Sequence, residues 1–244
     1  AGTLAPPPAD LRPVTADLGA FCSWYAARPA PGDRSPLATA LQAAALAERF
    51  RWSAGRLAEE ARTPVADVDP RVAVSAVQVG LVSRLWSAAL APALLLDWVP
   101  DLRLPALVSV GPTAGPWHVA PAGEPAGRHT GVSATGRAAA LAELVLPTVR
   151  TVSQACAGAG RTAPRVLVSN AASALVGGAA VLGRRHPDAA PEADELVRAL
   201  LDDPWLRDGG ATGADGFRRS GCCLFYRLPG HGLCPDCVLV RPGR

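Results

Sequence analysis

Asp69-Pro70-Arg-Val-Ala-Val-Ser-Ala-Val-Gln-Val-Gly-Leu-Val-Ser-Arg-Leu-Trp-Ser-Ala-Ala-Leu-Ala-Pro-Ala-Leu-Leu-Leu96 is the stretch that decides the fold. Asp69 before Pro70 is a cap and first-turn pair: the aspartate oxygen can accept a helix N–H, and proline has no N–H to leave unsatisfied. The following residues are apolar nearly all round, with Gln78 and Arg84 as the main interruptions. A helix apolar on every face is a buried one. The spacing therefore predicts a core helix over 70–96 and an α-rich fold. Its most apolar part, 85–96, is bracketed by Arg84 and Asp97 and falls short of the roughly 20 residues that span a bilayer. Segment 171–182 is equally short, so no transmembrane segment is expected.

Working outward, Ser35-Pro36 reads as a second cap and first-turn pair, opening a helix over 36–62 that ends at Thr63-Pro64. A short helix is expected over 16–27, carrying Phe21, Cys22, Trp24 and Tyr25, and the proline-rich residues 1–14 read as a loose arm. Downstream, Leu107, Val108 and Val110, a Gly-Pro-Thr-Ala-Gly-Pro turn, then Trp117 and Val119 predict a β-hairpin. Helices follow over 134–157, kinked at Pro147, over 164–183, and over the acidic segment 191–203. The third-last of these faces is lined by Leu141, Val145, Val149, Val152 and Cys156; the next helix presents the small residues Ala174, Gly177 and Gly178. A glycine-rich link at 209–216 leads to the C-terminal end. The expected fold is α+β and α-rich, helices packed with a small antiparallel β element: a scaffold over 1–216 and a C-terminal lobe over 217–244.

With 49% hydrophobic residues in 244, the chain can bury a substantial core. It has no Lys, Ile or Met, and Asn170 is its only asparagine, which hints at a required amide. The formal charge of +3 comes from arginines spread along the chain, not gathered in a tract, so nucleic acid is not an expected partner. Pro6 to Pro8 interrupt any apolar run of an export signal. A cytoplasmic setting, with peripheral contact to the inner face of the membrane left open, is the expectation, and there clustered thiols stay reduced.

Four of the six cysteines fall together, at Cys222, Cys223, Cys234 and Cys237. The two-residue spacer of Cys234-Pro-Asp-Cys237 lets one turn point both sulfurs at one metal. Cys222 and Cys223 are adjacent, so the chain must leave regular strand geometry if both are to face one site, and Gly221 permits that. Four thiolates suit iron–sulfur and zinc alike, and spacing does not choose between them. A vicinal disulfide or unrelated core cysteines are the plainer readings. Cys156 continues an apolar stripe and reads as core, and Cys22 has no such partner.

Arg218-Arg-Ser-Gly-Cys222-Cys223-Leu-Phe-Tyr-Arg-Leu-Pro-Gly-His-Gly-Leu-Cys234-Pro-Asp-Cys237 resembles the C-terminal signature of FhuF-like ferric siderophore reductases: two adjacent cysteines, ten residues, then C-x-x-C. A weaker likeness in element order extends over about 70–203. One departure is Gly221, where Ser or another small residue is expected. The resemblance implies a [2Fe–2S] cluster on Cys222, Cys223, Cys234 and Cys237 that reduces Fe(III) held by a siderophore, the hydroxamate type included. No flavin or nicotinamide fingerprint is present, so the resemblance implies an external electron donor such as a ferredoxin or flavoprotein.

No catalytic group beyond the cluster is expected, because one-electron transfer needs no acid–base or nucleophilic side chain. Arg219, Tyr226, Arg227 and His231, which flank the cysteines, are the candidate substrate contacts. The arginines there should also favour the more negative, reduced cluster. Two alternatives stand beside this reading: a siderophore-binding or iron-handling protein with a structural or sensing cluster, and a zinc-stabilised interaction module.

Overall fold

A computed structural model of the chain describes residues 3–17, 33–115, 117–131 and 133–240. In chain order the elements are helix α1 (Leu11–Asp17), strand β1 (Arg34–Pro36), helices α2 (Leu37–Ala40), α3 (Ala43–Ala61) and α4 (Pro70–Leu95), then strands β2 (Trp98–Pro100), β3 (Leu107–Val110), β4 (His118–Pro121) and β5 (Gly127–His129). Helices α5 (Ala134–Leu144), α6 (Leu146–Ala159), α7 (Pro164–Arg185), α8 (Ala190–Leu201) and α9 (Pro204–Arg207) follow, and strands β6 (Gly210–Gly213) and β7 (Gly216–Arg219) end the series. The fold is an α-rich α+β fold, as expected.

Helix α4 is the axis of the core. Asp69 caps it, its carboxylate accepting from the Arg71 N–H at 3.0 Å. Leu81, Leu85, Trp86 and Leu90 are fully buried, and α7, α3 and α6 pack around them. Trp86 fixes α7 in place by donating from Nε1 to the Ala171 carbonyl at 3.1 Å. Gly178 lets α7 come close, since a Cβ there would stand 3.2 Å from Leu90 Cδ1. By length and composition α4 and α7 could each cross a membrane, a test that core helices also pass; 67% and 50% of their most apolar windows are buried in this fold.

The expected hairpin forms as β3 and β4, with Val110 opposite His118. It gains a third strand. Ser35 and Pro36 lie in β1, antiparallel to β3, with Ser35 opposite Ser109, and Pro36 takes the N-cap position of α2 in place of the expected first-turn position. A helix does start there, at Leu37, one residue after the expected position, and the residues before it are taken up by strand pairing. The helix expected from 36 is accordingly split into α2 and α3, with Gln42 extended at the N-terminal cap of α3.

The N-terminal arm is not loose in its described part. Ala5 exchanges two backbone hydrogen bonds with Gly127, at 2.6 and 2.9 Å, and Leu11 and Thr15 are buried. The helix expected over 16–27 lies almost wholly outside the described residues, as does Cys22. The kink expected at Pro147 is a full break: α5 ends at Leu144, Val145 leaves helical geometry, and Pro147 sits in the first turn of α6. There it has no preceding turn to clash with. Asp203 caps α9 by accepting from the Trp205 and Leu206 N–H groups. The glycine-rich link forms the β6–β7 hairpin, in which the expected 216/217 boundary falls at the start of β7.

Candidate metal centre

Strand β7 delivers the chain to the cysteines through Ser220 and Gly221, which pass beneath the first turns of α7. The Gly221 N–H donates to Ser169 Oγ at 2.7 Å. A Cβ at residue 221 would stand 2.7 Å from the Arg165 carbonyl oxygen, closer than such atoms come. Gly221, the one departure from the expected pattern, is therefore required by α7. Just past the cysteine pair, Leu224 takes a left-handed conformation with φ 72° and turns the chain out of extended geometry. Leu224 and Leu228 then pack on Leu57, Val68 and Val72 of the helical body, and Ser75 on α4 donates to the Cys223 carbonyl at 2.8 Å.

The five described cysteines are all free thiols. Cys223 and Cys234 bring their sulfurs to 3.8 Å. Two thiolates on one tetrahedral ion, each about 2.3 Å from the metal, lie about 3.8 Å apart, so this pair fits a shared metal. The Leu224 N–H donates to Cys222 Sγ at 3.3 Å and the Leu239 N–H to Cys237 Sγ at 3.4 Å. Such amide contacts are what lowers the energy of charged sulfur in a cluster. Cys222 lies near enough to Cys223 and Cys237 for their charges to interact; burial first, then these neighbours, push its thiol up. Burial, the Asp236 hydrogen bond and Cys223 do the same for Cys234. Among the described residues no three Cys, His, Asp or Glu side chains stand as a closed metal-binding group. One pair is thus in ligand geometry, with the other two thiols beside it. Cys156 is fully buried in the core, where desolvation pushes its thiol up to about 12, as expected of a packing residue.

Beneath the thiols lies a buried polar network. Arg219, 8% exposed, donates from Nε to Asp236 at 3.0 Å, from Nη1 to Asn170 Oδ1 at 2.6 Å and from Nη2 to Ser173 Oγ at 2.5 Å. Asn170 in turn donates to Ser75 Oγ and Gln78 Oε1, and Gln78 donates to Ser153 Oγ and the Leu167 carbonyl. Burial works to raise the Asp236 carboxyl, but bonds from Ser173 and Cys234 and the charge of Arg219 outweigh it and hold it below its ordinary value. The C-x-x-C turn is thereby bolted to α4 and α7 by a chain of satisfied donors.

The other flanking residues are dispersed. Arg227 ion-pairs with Asp69 and lies 5.8 Å from the Tyr226 ring centroid, while Tyr226 and His231 are exposed. Arg219 and His231 share a cavity of about 390 Å³ with Val79, Asn170, Phe225 and Leu233, against Cys223 and Cys234; Tyr226 and Arg227 do not line it. Of the three arginines near the thiols, Arg219 faces Asp236 and Arg227 faces Asp69. Arg218 donates to the Cys237 and Val240 carbonyls. Sequence reading missed Ser75, Ser169 and Asp236, and saw Gln78 only as a polar interruption. The available signal was the spacing of Ser75 and Gln78, three apart on an otherwise apolar helix.

Residues 219–239 match the family model described as the FhuF 2Fe-2S C-terminal domain. No curated protein and no solved structure matches the chain. The matched segment runs from the arginine of the polar network to just beyond the last cysteine. The Cys223–Cys234 pair at ligand distance and the amide-to-sulfur contacts at Cys222 and Cys237 fit such a cluster. Over residues 219–239 the chain is similar to the FhuF-type iron–sulfur domain, and its cofactor is a [2Fe–2S] cluster.

Proposed function

We propose that this protein is a ferric siderophore reductase of the cytoplasm, with Cys222, Cys223, Cys234 and Cys237 as the cluster ligands. The observation that carries the reading is the Cys223–Cys234 pair at ligand distance inside a FhuF-type domain. When bound, the cluster supplies one electron, which converts siderophore-held Fe(III) to Fe(II); an external ferredoxin or flavoprotein restores it. Hard chelator oxygens hold Fe(II) poorly, so the iron is released.

The chain's own residues serve three tasks. The Arg219–Asn170 network and Ser75 hold the cysteine backbone still, which keeps reorganisation during electron transfer small. The Leu224 and Leu239 amides stabilise charge on the sulfurs. Tyr226, His231 and the exposed Leu233, Val238 and Leu239 form the surface from which substrate and donor reach the centre.

The test uses anaerobically purified protein. It is expected to show visible iron–sulfur absorption and acid-labile sulfide. After chemical reduction it should pass one electron per cluster to a ferric siderophore within seconds, read by a chromophoric Fe(II) chelator. A reduced protein that keeps its electron in the presence of ferric siderophore is an iron-handling or sensing protein instead, and a colourless protein holding zinc is an interaction module.

A further inference from the structure

A second group of arginines borders α4, on a face that the cluster lobe does not cover. Arg49 and Trp52 of α3, Ala76, Val77, Gly80 and Arg84 of α4, and Gly115 and Trp117 from the β3–β4 connection enclose a pocket of about 200 Å³. Arg49 is 3% exposed. Its Nη1 donates to the Gly115 carbonyl at 2.9 Å, its guanidinium lies 4.5 Å from the Trp117 ring centroid, and its Nε is buried without a partner. Arg84, at the mouth, donates from Nη1 to the Trp117 carbonyl at 2.7 Å. Trp117 Nε1 is likewise buried and unpartnered.

Among the described residues neither arginine forms an ion pair. Burial lowers the basicity of both; for Arg49 the exposed Glu48 partly opposes this and the charge of Arg84 adds to it. The buried Arg49 guanidinium is thus held over the Gly115 carbonyl and the Trp117 ring, and the exposed Arg84 beside it over the Trp117 carbonyl, with donors in excess of acceptors. An uncompensated buried cation is costly, and guanidinium is the group best shaped to accept a planar anion in two parallel hydrogen bonds.

We propose that this pocket binds a planar aryl anion, a catecholate or an aryl carboxylate. The charge is met by Arg49 and Arg84. The ring is met by Trp52, half-buried on the wall, and by the apolar floor of Ala76 and Val77. Gly80 leaves that floor open, since nothing stands within 4 Å of a Cβ built there. The volume lies below the roughly 300–1,000 Å³ of pockets that enclose a drug-sized ligand, so it takes one arm of a larger chelate. The pocket also adjoins the cluster lobe. Ala76 lines it and also packs against the apolar cluster that includes Leu224 and Leu228, and Gly80 lies about 7.5 Å along the α4 axis from Ser75, whose hydroxyl holds the Cys223 carbonyl. Resting on the reductase reading, the inference names the substrate class: a net-negative ferric chelate with aryl arms, in preference to the neutral hydroxamate type.

Gallium(III) chelates are redox-inert, so binding can be measured on the cluster-loaded protein without electron transfer. Titration calorimetry with a gallium(III) tris-catecholate is expected to give affinity at least tenfold tighter than with a neutral gallium(III) tris-hydroxamate, weakening as salt rises. Arg84→Gln should loosen the catecholate about tenfold and leave the hydroxamate unchanged. Gly80→Leu, which fills the floor, should remove the preference while cluster absorbance stays intact. Equal affinity for the two chelates, or catecholate binding indifferent to both substitutions, overturns the proposal. Reduction of ferric chelates without such a preference leaves the reductase reading standing alone; tight catecholate binding without reduction does the reverse.

Discussion

Arg219 and Arg49 are almost equally buried, at 8% and 3% exposure, on two faces of the same helix, yet they are opposite in their bonding. Every guanidinium nitrogen of Arg219 has an acceptor, one of them a carboxylate. Arg49 has one carbonyl and a ring, and an orphaned Nε. Burial therefore does not distinguish an arginine that braces a site from one that waits for a ligand. The count of partners does, because an unsatisfied buried donor needs an explanation beyond packing.

The largest effect should come from breaking the satisfied side. Arg219→Met leaves the Asp236 carboxylate and the Asn170 and Ser173 oxygens without their donor, and removing one partner of a buried ion pair costs about 3–5 kcal/mol. Urea denaturation should show that loss, and cluster absorbance should decay with it. Gly221→Ala strains the same region sterically, since its Cβ would meet a backbone oxygen at 2.7 Å; overpacking of this kind costs about 1–3 kcal/mol. Arg49→Met should cost less, about 1–2 kcal/mol, because loss of one charge-assisted hydrogen bond and a cation–π contact is partly offset by removal of an orphaned donor. If Arg49→Met proves as damaging as Arg219→Met, the distinction between the two sites collapses.

How much of this was legible in the chain follows from how local each signal is. The Asp69-Pro70 cap, the hairpin around Gly111 and the C-x-x-C turn are each written within a few residues, and the structure shows all three. Ser35-Pro36 also marks a helix start to within one residue, but its place in β1 depends on Ser109 far along the chain and could not be read locally. The lone Asn170 announced itself by composition; that its amide joins Arg219 to Ser75 and Gln78 could not be read, because two helices and a strand must pack before those atoms meet. Gly221 was visible as a departure from pattern, and only the position of Arg165 above it supplies the reason.

The smallest effect separates a buried brace from an exposed one. Arg227 ties the lobe to Asp69, which also caps α4, so the two arginine-bonded anchors of the lobe can be compared by pH. Hydrogen bonds from the Arg71 side chain, and further bonds from its backbone and from Arg227, hold the Asp69 carboxyl down at about 2 against an ordinary 3.8. A depressed carboxyl contributes stability that is fully present above its ordinary value and is lost as pH falls through its folded one. The window is thus pH 4 down to 2. Because Arg71 is half exposed, screening reduces the contribution to about 1 kcal/mol. Asp69→Asn keeps a capping oxygen and removes only the charge. The substituted protein should be less stable by about that amount at neutral pH, and the gap should close on acidification. Loss of the acid-labile cluster is common to both proteins and drops out of the difference. A gap that narrows between pH 4 and pH 2 bears this out, whereas one that persists unchanged to pH 2 would show that Asp69 acts through its cap geometry and not through its charge, leaving Arg219 as the electrostatic anchor of the lobe.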